Sequence, residues 1–239
     1  MKFIYGPVTS RRLGKSLGVS LIPHKTCNFD CIYCQLGPTS SLATERKEYV
    51  AIASITEELK NWFLYHAQEA KALDYVTISG AGEPTLNVKI EEIIAFIKRA
   101  TSVPVAVISN AALFAQQDVR RAVAKADLLV PSLDAVDPAI FKAIDQPHDS
   151  IDLKGIIAGL IELRKEFAGQ IWLEVMLVEG VNDSLEHIRQ LKDVVEKINP
   201  DKIQLNSPVR TTSQRQLRAV SSSKLIAIKE LLGAKAQII

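Results

Sequence analysis

The stretch LGVSLIPHKTCNFDCIYC (residues 17–34) joins an apolar run to a polar loop that carries three cysteines. The run 17–22 is mostly aliphatic and stops at a proline, which is typical of a buried β-strand. Cys27, Cys31 and Cys34 follow within a few residues, and the chain has no other cysteine. The stretch therefore predicts a first strand whose carboxyl end leads into a cysteine loop.

The C-x3-C-x2-C spacing of these cysteines indicates a metal centre. An odd, tightly clustered set of thiols argues against a disulfide framework. A four-iron cluster has irons at alternate corners of a cube, and a loop with this spacing can supply three thiolates and leave one iron open. Zinc with His24 as fourth ligand is an alternative, although zinc sites usually pair two separated ligand groups. Unligated structural thiols are the remaining interpretation.

Beyond residue 50, short apolar runs alternate with longer amphipathic ones. This alternation predicts an α/β fold with an open parallel sheet and helices outside it. Six units fit 239 residues as a partial (βα)6 TIM-like barrel, since a complete eight-unit barrel takes about 250 residues. A doubly wound sheet is the alternative that periodicity leaves open. Strands are predicted at 17–22, 75–79, 103–109, 128–132, 171–178 and 202–206, and helices at 54–70, 88–100, 116–125, 153–167, 184–198 and 222–232.

Local signals support the helices. Helix 88–100 has isoleucines at positions 90, 93, 94 and 97, a spacing that puts one apolar stripe against a sheet. Ser54 and Ser184 are predicted to cap the helices that they start, and Glu57 would complete a capping box with Ser54.

The composition is that of an ordinary globular protein, with 47% hydrophobic and 23% charged residues. A formal net charge of +2 does not by itself imply a nucleic-acid or membrane partner. No apolar run reaches the roughly 18 residues of a membrane span, and the N-terminus lacks the apolar region of a signal peptide. We predict a cytoplasmic, single-domain protein with an N-terminal extension (1–16), a partial barrel (17–206) and a C-terminal segment (207–239).

The chemistry is expected at the carboxyl ends of the strands, where α/β sheets place their sites. Polar residues gather at those ends. Glu174 lies within an apolar strand, so its carboxylate needs a partner, and Asn206 ends the sixth strand as a candidate for substrate binding. Two basic segments either contact phosphates or are solvated surface charge; they comprise Arg11, Arg12 and Lys15, and Arg210, Arg215 and Arg218.

A C-x3-C-x2-C loop after a first strand, with the aromatic Tyr33 directly before the third cysteine, resembles the signature of the radical S-adenosylmethionine (SAM) superfamily. The segments YGPVTSRRLG (5–14), SGAGEPTL (79–86) and PSLDA (131–135) resemble one branch of it, the predicted Fe–S oxidoreductases described as wyosine-synthase-like. The resemblance covers essentially the whole chain. It implies a radical SAM core domain and a [4Fe–4S] cluster on the three cysteines. It also implies that SAM on the open iron is cleaved reductively to a 5′-deoxyadenosyl radical, which abstracts hydrogen from an unidentified substrate.

The resemblance also implies a SAM pocket. The turn 80–84 would hold the SAM amino group, although it reads Gly-Ala-Gly-Glu-Pro where the superfamily usually has Gly-Gly-Glu-Pro. The end of the third strand would lie near the SAM carboxylate or ribose, and Ala111 stands there where glycine is usual. An aspartate after the fourth strand would bind ribose hydroxyls, and an aromatic ring would pack on the adenine. The implied cofactor-binding residues are Tyr33, Gly80, Gly82, Glu83, Asn110, Ser132 and Asp134.

The wyosine synthases that give this branch its name carry further cysteines for a second cluster. This chain has none, so a second four-iron cluster is excluded by count and wyosine chemistry is not expected. The expected partners are a low-potential electron donor of the flavodoxin or ferredoxin type and a tRNA or other RNA substrate. No membrane partner is expected. The alternative function is a non-enzymatic zinc- or iron–sulfur-binding interaction module.

Overall fold

The computed structural model describes residues 1–209, 212–214 and 216–239. Most of the strands are separated by helices, as the alternation of the sequence predicts. The strands within these residues are β1 (Ile4–Ser10), β2 (Gly14–Val19), β3 (Thr26–Cys27), β4 (Ser41–Leu42), β5 (Tyr75–Ile78), β6 (Val105–Ser109), β7 (Leu128–Pro131), β8 (Gln170–Met176), β9 (Lys202–Asn206) and β10 (Ala236–Ile238).

The main sheet has eight strands in the order β1-β2-β5-β6-β7-β8-β9-β10. β1 pairs antiparallel with β2, whereas all later neighbours in this sheet pair in parallel. The short strands β3 and β4 form a separate parallel pair. The predicted parallel α/β sheet is therefore confirmed, and β10 adds a seventh parallel strand to the predicted six.

Helices follow the parallel strands. The predicted isoleucine stripe is confirmed, because positions 90, 93, 94 and 97 are all at most 1% exposed. No helix in the described part of the chain is long and apolar enough to cross a membrane. The helices are α1 (Ile52–Tyr65), α2 (Ala67–Ala70), α3 (Ile90–Ala100), α4 (Gln117–Val123), α5 (Pro138–Asp145), α6 (Leu153–Glu166), α7 (Leu185–Ile198) and α8 (Ser222–Leu232).

Several predicted boundaries were wrong. The segment 1–16 is not outside the sheet, since β1 and the start of β2 lie within it. Its pattern was hard to recognise because β1 is a partly exposed edge strand that contains a proline. Ser54 does not cap α1, which begins two residues earlier and has no side-chain cap. Ser184 does cap α7, and its hydroxyl accepts the N–H of His187 at 3.2 Å.

The sheet has an apolar core on each face. In β7, Leu129 packs in the large core that the helices cover, whereas Leu128 and Val130 belong to a small cluster on the opposite, inner face. This alternation follows from the period of two along a strand. The small cluster also contains Trp172 from β8 and Leu13 from the β1–β2 turn. The turn therefore folds over the inner face of the sheet.

Two arginines hold this turn in place. Arg12 forms an ion pair with Glu174 of β8, so the predicted need of this buried carboxylate for a partner is confirmed. Arg11 donates to the main-chain oxygen of Ile239 at 3.0 Å and to Oδ1 of Asn206 at 3.4 Å. Since β1 and β10 are the two edges of the sheet, the turn connects one edge to residues at the other.

Candidate active site

The cysteine loop follows the first parallel strand, β2, as predicted. It is tied to the carboxyl end of α5 by main-chain hydrogen bonds. The N–H of Asp30 donates to the carbonyl of Asp145 at 3.1 Å, and that of Ile32 to the carbonyl of Ile144 at 3.0 Å. The N–H of His148 donates back to the carbonyl of Asn28 at 2.9 Å. These bonds fix the backbone between the first and third cysteines.

A second attachment comes from Ser213, near the C-terminal end of the chain. Its N–H donates to the carbonyl of Cys34 at 2.9 Å, and its hydroxyl donates to the carbonyl of Cys31 at 2.9 Å. Inside the loop, Lys25 is only 3% exposed and its ammonium lies 3.8 Å from Asp30 Oδ1. The loop is therefore held by distant parts of the chain as well as by its own contacts.

The three thiols are free and half-buried. Cys27 Sγ accepts the N–H of Phe29 at 3.5 Å and the side-chain amide of Asn110 at 3.6 Å. Burial, with a smaller contribution from Glu83, raises the pKa of Cys27 to about 12. Burial also raises the pKa of Cys31 well above its ordinary value, and Asp145 adds to this effect. A bound metal reverses this preference, since coordination deprotonates a thiol.

The turn 80–84 packs directly on the residue before the first cysteine. A Cβ added to Gly82 would lie 1.8 Å from the carbonyl oxygen of Thr26, so only glycine fits there. The N–H of Glu83 donates to the same oxygen at 3.1 Å. Gly80 has a φ of +111° and faces Ser20 and Tyr5. The segment implied to hold the SAM amino group thus adjoins the cysteine loop.

The carboxylate of Glu83 is 2% exposed and is surrounded by protein donors. Oε1 accepts from the N–H of Thr85 at 3.0 Å, from its hydroxyl at 2.6 Å and from the hydroxyl of Ser109 at 2.8 Å. Oε2 accepts the N–H of Asn110 at 2.8 Å. Burial raises the pKa of this carboxyl, and the hydrogen bonds partly offset the effect. The side chain thus joins the turn 80–84 to the end of β6.

Asn110 links the end of β6 to the cysteine loop. Its amide nitrogen donates to Asn28 Oδ1 at 2.6 Å, in addition to its contact with Cys27. The next residue, Ala111, has a φ of +61°, in the left-handed region that favours glycine. This conformation gives a physical reason why glycine is usual at this position in the superfamily.

Four of the implied SAM-binding residues meet at one small pocket. The hydroxyl of Tyr33 donates to Asp134 and, at 3.4 Å, to Asp145. Ser132 and Asn110 line the same pocket. Burial raises the pKa of Asp134 well above its ordinary value and that of Asp145 to about 7. The three other implied residues are Gly80, Gly82 and Glu83. They belong to the turn 80–84, which a hydrogen bond from the N–H of Asn110 to Glu83 joins to the end of β6.

Asp145 was not anticipated as part of the site because α5 was not predicted. A signal was available: Asp137 accepts the N–H groups of residues 139 and 140 as an N-cap, and Pro138 occupies the first helical position. Of the basic residues, Arg218 is exposed, Lys15 is half-buried, and Arg210 and Arg215 lie outside the described residues.

The residues present fit an iron–sulfur cluster. The amide nitrogen of Asn28, next to Cys27, is buried and has no hydrogen-bond partner. An unsatisfied buried donor is costly and calls for an acceptor, and inorganic sulfide or a cofactor oxygen would supply one. Within residues 1–209, 212–214 and 216–239, no group of three or more Cys, His, Asp or Glu side chains is arranged to hold a single metal ion.

Comparisons with known proteins show the family and the fold of this chain. Residues 21–191 match the family model of the radical SAM superfamily. The chain is 41% identical over 237 residues to a Brachyspira hyodysenteriae protein named GTPase Obg, covering 99% of this chain and 34% of that protein. It is 33% identical to a UPF0026 protein of Methanocaldococcus jannaschii, covering 98% of this chain and 73% of that protein.

A solved structure described as TYW1 with a lysine–pyruvate adduct bound has the same fold. It matches with a TM-score of 0.64 at 21% identity, over 91% of this chain and 72% of that one. The chain spans about a third of the Brachyspira protein but nearly three quarters of the Methanocaldococcus protein.

Proposed function

This chain belongs to the radical SAM superfamily and is an enzyme, and we propose that it binds a [4Fe–4S] cluster through Cys27, Cys31 and Cys34 and SAM beside it. The observation that supports the proposal most directly is the loop itself: three free thiols on a backbone held by α5 and by Ser213, with an unpartnered buried amide beside Cys27. Three thiolates leave one iron of a four-iron cluster open for a cofactor.

Once reduced by an external donor, such a cluster would supply the electron that cleaves SAM to methionine and a 5′-deoxyadenosyl radical, and that radical would remove a hydrogen atom from a substrate. Residues of this chain contact the cysteines that would hold the cluster. Asn110 and the N–H of Phe29 donate to the sulfur of Cys27, and hydrogen bonds to sulfur help to set the reduction potential of a cluster. Asp145 approaches Cys31 to 3.4 Å and lies in the pocket that Tyr33 and Asp134 share.

In this proposal SAM lies beside the cysteine loop, near the turn 80–84 and the end of β6, and not inside the cavity between Tyr33 and Asp134, whose volume of about 10 Å³ holds no more than one water. The turn 80–84 presents backbone groups next to Thr26, while Glu83 keeps that turn aligned with β6. Ser132 offers a hydroxyl for the ribose, and the ring of Tyr33 offers a flat apolar face for the adenine. Asp134 is 2% exposed and its oxygens accept the N–H of Met176 and the hydroxyl of Tyr33, so it would have to exchange one of these partners to bind the ribose. Asn110 acts from the end of β6, between the turn and the cysteine loop.

The test is anaerobic reconstitution with iron and sulfide, followed by a count of both and an assay for 5′-deoxyadenosine after addition of dithionite and SAM. We expect about four irons per chain and slow SAM cleavage. One zinc per chain and no cleavage of SAM would refute this proposal and favour a non-enzymatic zinc-binding module.

Variants of the loop make the test specific. Cys31→Ser should lose the iron and the visible absorption of the cluster while its far-UV circular dichroism stays that of the wild type. Leu36→Ala is the matched control, because this residue lies in the same loop, is 42% exposed and has no thiol. Full iron retention by Cys31→Ser would contradict the ligand assignment.

The partners remain proposals. A flavodoxin- or ferredoxin-type donor would deliver the electron, and tRNA or another RNA is one candidate substrate. Binding of tRNA that weakens steeply with salt would support the RNA proposal, because phosphate contacts release counterions. The cytoplasmic location likewise remains a prediction.

A further inference from the structure

A buried ammonium lies inside the cysteine loop and has no role in the function described so far. Lys25 stands two residues before Cys27, and its side chain is 4% exposed. Lysine is almost never buried to this extent unless its charge is paired, because taking an ammonium out of water is costly. Some group must therefore compensate this charge.

The described residues compensate the charge only in part. The ammonium donates to the main-chain oxygen of Gly37, which is a neutral acceptor. Asp30 is the only acidic side chain among the described residues that pairs with it, and its Oδ1 lies 3.8 Å away, beyond hydrogen-bond distance. The same oxygen accepts the N–H of Thr39 at 2.6 Å, and the side chain of Asp30 is 35% exposed, so water screens its charge. A net positive charge therefore remains inside the loop.

The backbone fixes Lys25 in this place. Its N–H donates to Ser40 Oγ at 3.0 Å, and its carbonyl accepts the N–H of Ser41 at 3.1 Å. The two residues that follow Lys25 form β3, which pairs with β4. Because the side chain also bonds Gly37, Lys25 joins the two ends of the loop, and its charge is kept beside the cysteines.

The charge of Lys25 acts on Cys27. Burial and the charge of Glu83 raise the pKa of this thiol, and the ammonium of Lys25 opposes them by favouring the thiolate. A cation that favours a thiolate also favours further negative charge in the same place. Three thiolates make a four-iron site anionic, and reduction adds another negative charge. The net charge of a cluster is one of the quantities that set its reduction potential.

We propose that Lys25 is a positioning residue for reduction of the [4Fe–4S] cluster, because its buried ammonium compensates the charge of the reduced cluster and thereby raises the reduction potential. The inference rests on the proposed function and deepens it, since a less negative potential lets an external donor reduce the cluster more readily. One electron passes from the donor, which is oxidised, to the cluster, and Lys25 keeps its proton throughout. Asp30 opposes the effect through its negative charge.

The experiment is a redox titration of the anaerobically reconstituted enzyme, with electron paramagnetic resonance of the reduced cluster as the readout. Lys25→Met keeps the length of the side chain and removes its charge. We expect reduction to become about tenfold less favourable or more, which lowers the midpoint potential by about 59 mV or more for one electron. Asp30→Asn removes the opposing charge and should shift the potential the other way, to less negative values.

Two further variants separate charge from structure. Lys25→Gln retains an N–H donor for Gly37 without the charge, so a shift shared by both neutral variants reports the charge rather than a lost hydrogen bond. Lys47→Met is the matched control, because it removes the same charge by the same substitution after the loop, where the lysine side chain is 53% exposed and screened by water. Its potential should equal that of the wild type.

Failure of the inference is distinguishable from failure of the proposed function. Wild-type potentials in both neutral variants, a shift in Lys25→Met alone, or shifts of Lys25→Met and Asp30→Asn in the same direction would each overturn the inference. Should neither neutral variant bind iron, Asp30→Asn decides, since a less negative potential supports the inference and the wild-type potential overturns it. The iron count and the 5′-deoxyadenosine assay of the wild type test the proposed function separately.

Discussion

Replacement of Gly82 by alanine should separate the turn 80–84 from the cysteine loop. The new Cβ would lie 1.8 Å from the carbonyl oxygen of Thr26 and 2.9 Å from Cγ2 of Ile22. Ordinary contacts of a Cβ begin near 3.4 Å, so the turn must retreat by about 1.6 Å, a backbone movement of the overpacking kind. That movement also breaks the 3.1 Å hydrogen bond from the N–H of Glu83 to Thr26.

The expected cost follows from these two effects. Overpacking costs about 1–3 kcal/mol and the lost hydrogen bond about 1 kcal/mol, so the free energy of unfolding should fall by about 3 kcal/mol. For a chain of this length that corresponds to a midpoint lowered by about 6–12 °C. Because the turn adjoins Cys27, reconstituted iron should also decrease. Both quantities are measurable on one preparation, by thermal circular dichroism and by iron analysis.

Gly155→Ala is the matched control. The same added Cβ on α6 would meet the Cβ of Ala115 at 3.6 Å and Oδ2 of Asp152 at 3.8 Å, both ordinary contacts. Alanine is the better helix former, so this variant should be as stable as the wild type or more stable by up to about 1 kcal/mol, with unchanged iron. A Gly82→Ala protein with wild-type midpoint and iron content would refute the close packing of turn and loop.

Three further substitutions test other contacts. Asn182→Ala should lower the free energy of unfolding by about 3 kcal/mol in urea denaturation, because this fully buried amide bonds three main-chain groups that would lose their partner. Arg12→Met should lower the free energy of unfolding by about 2–3 kcal/mol, because Glu174 would stay buried without its cation. The double variant Arg12→Met/Glu174→Gln should recover most of this loss, and a double variant as unstable as Arg12→Met would contradict the ion pair. Gln146→Gly should raise the free energy of unfolding by about 0.5–1 kcal/mol and the thermal midpoint with it, since this exposed residue at a helix end has a φ of 43°.

The sheet and its main helices were predictable because their signals are local. The stripe on α3 and the apolar strands of the sheet depend on spacing within one segment, and each was confirmed. The β1–β2 hairpin was missed because an exposed edge strand has little hydrophobic contrast. Helix α5 was missed although its Asp-Pro start is a recognised signal.

The resemblance implied residues that the structure brings close together, whereas their role in binding SAM stays a prediction. Tyr33, Asn110 and Asp134 were singled out by position, and the structure brings them to one pocket. Their bonds were not foreseeable, since Tyr33 and Asp134 are 101 residues apart and only the folded sheet joins them. The same holds for Glu83, which the resemblance implied as a cofactor-binding residue and whose carboxylate is surrounded by donors from two segments of the protein.

The closure of the inner face by the β1–β2 turn has a consequence for biosynthesis. The βα units can assemble in the order in which they leave the ribosome, because each new strand joins its predecessor. The hairpin is synthesised first, but the partner of Arg12, Glu174, is made 162 residues later, and that of Arg11, Ile239, is made 228 residues later. Such distant contacts are slow to form. The contacts of the β1–β2 turn with the inner face should therefore be the last to form, and a nascent chain released early would keep an unpaired sheet edge that is prone to aggregation.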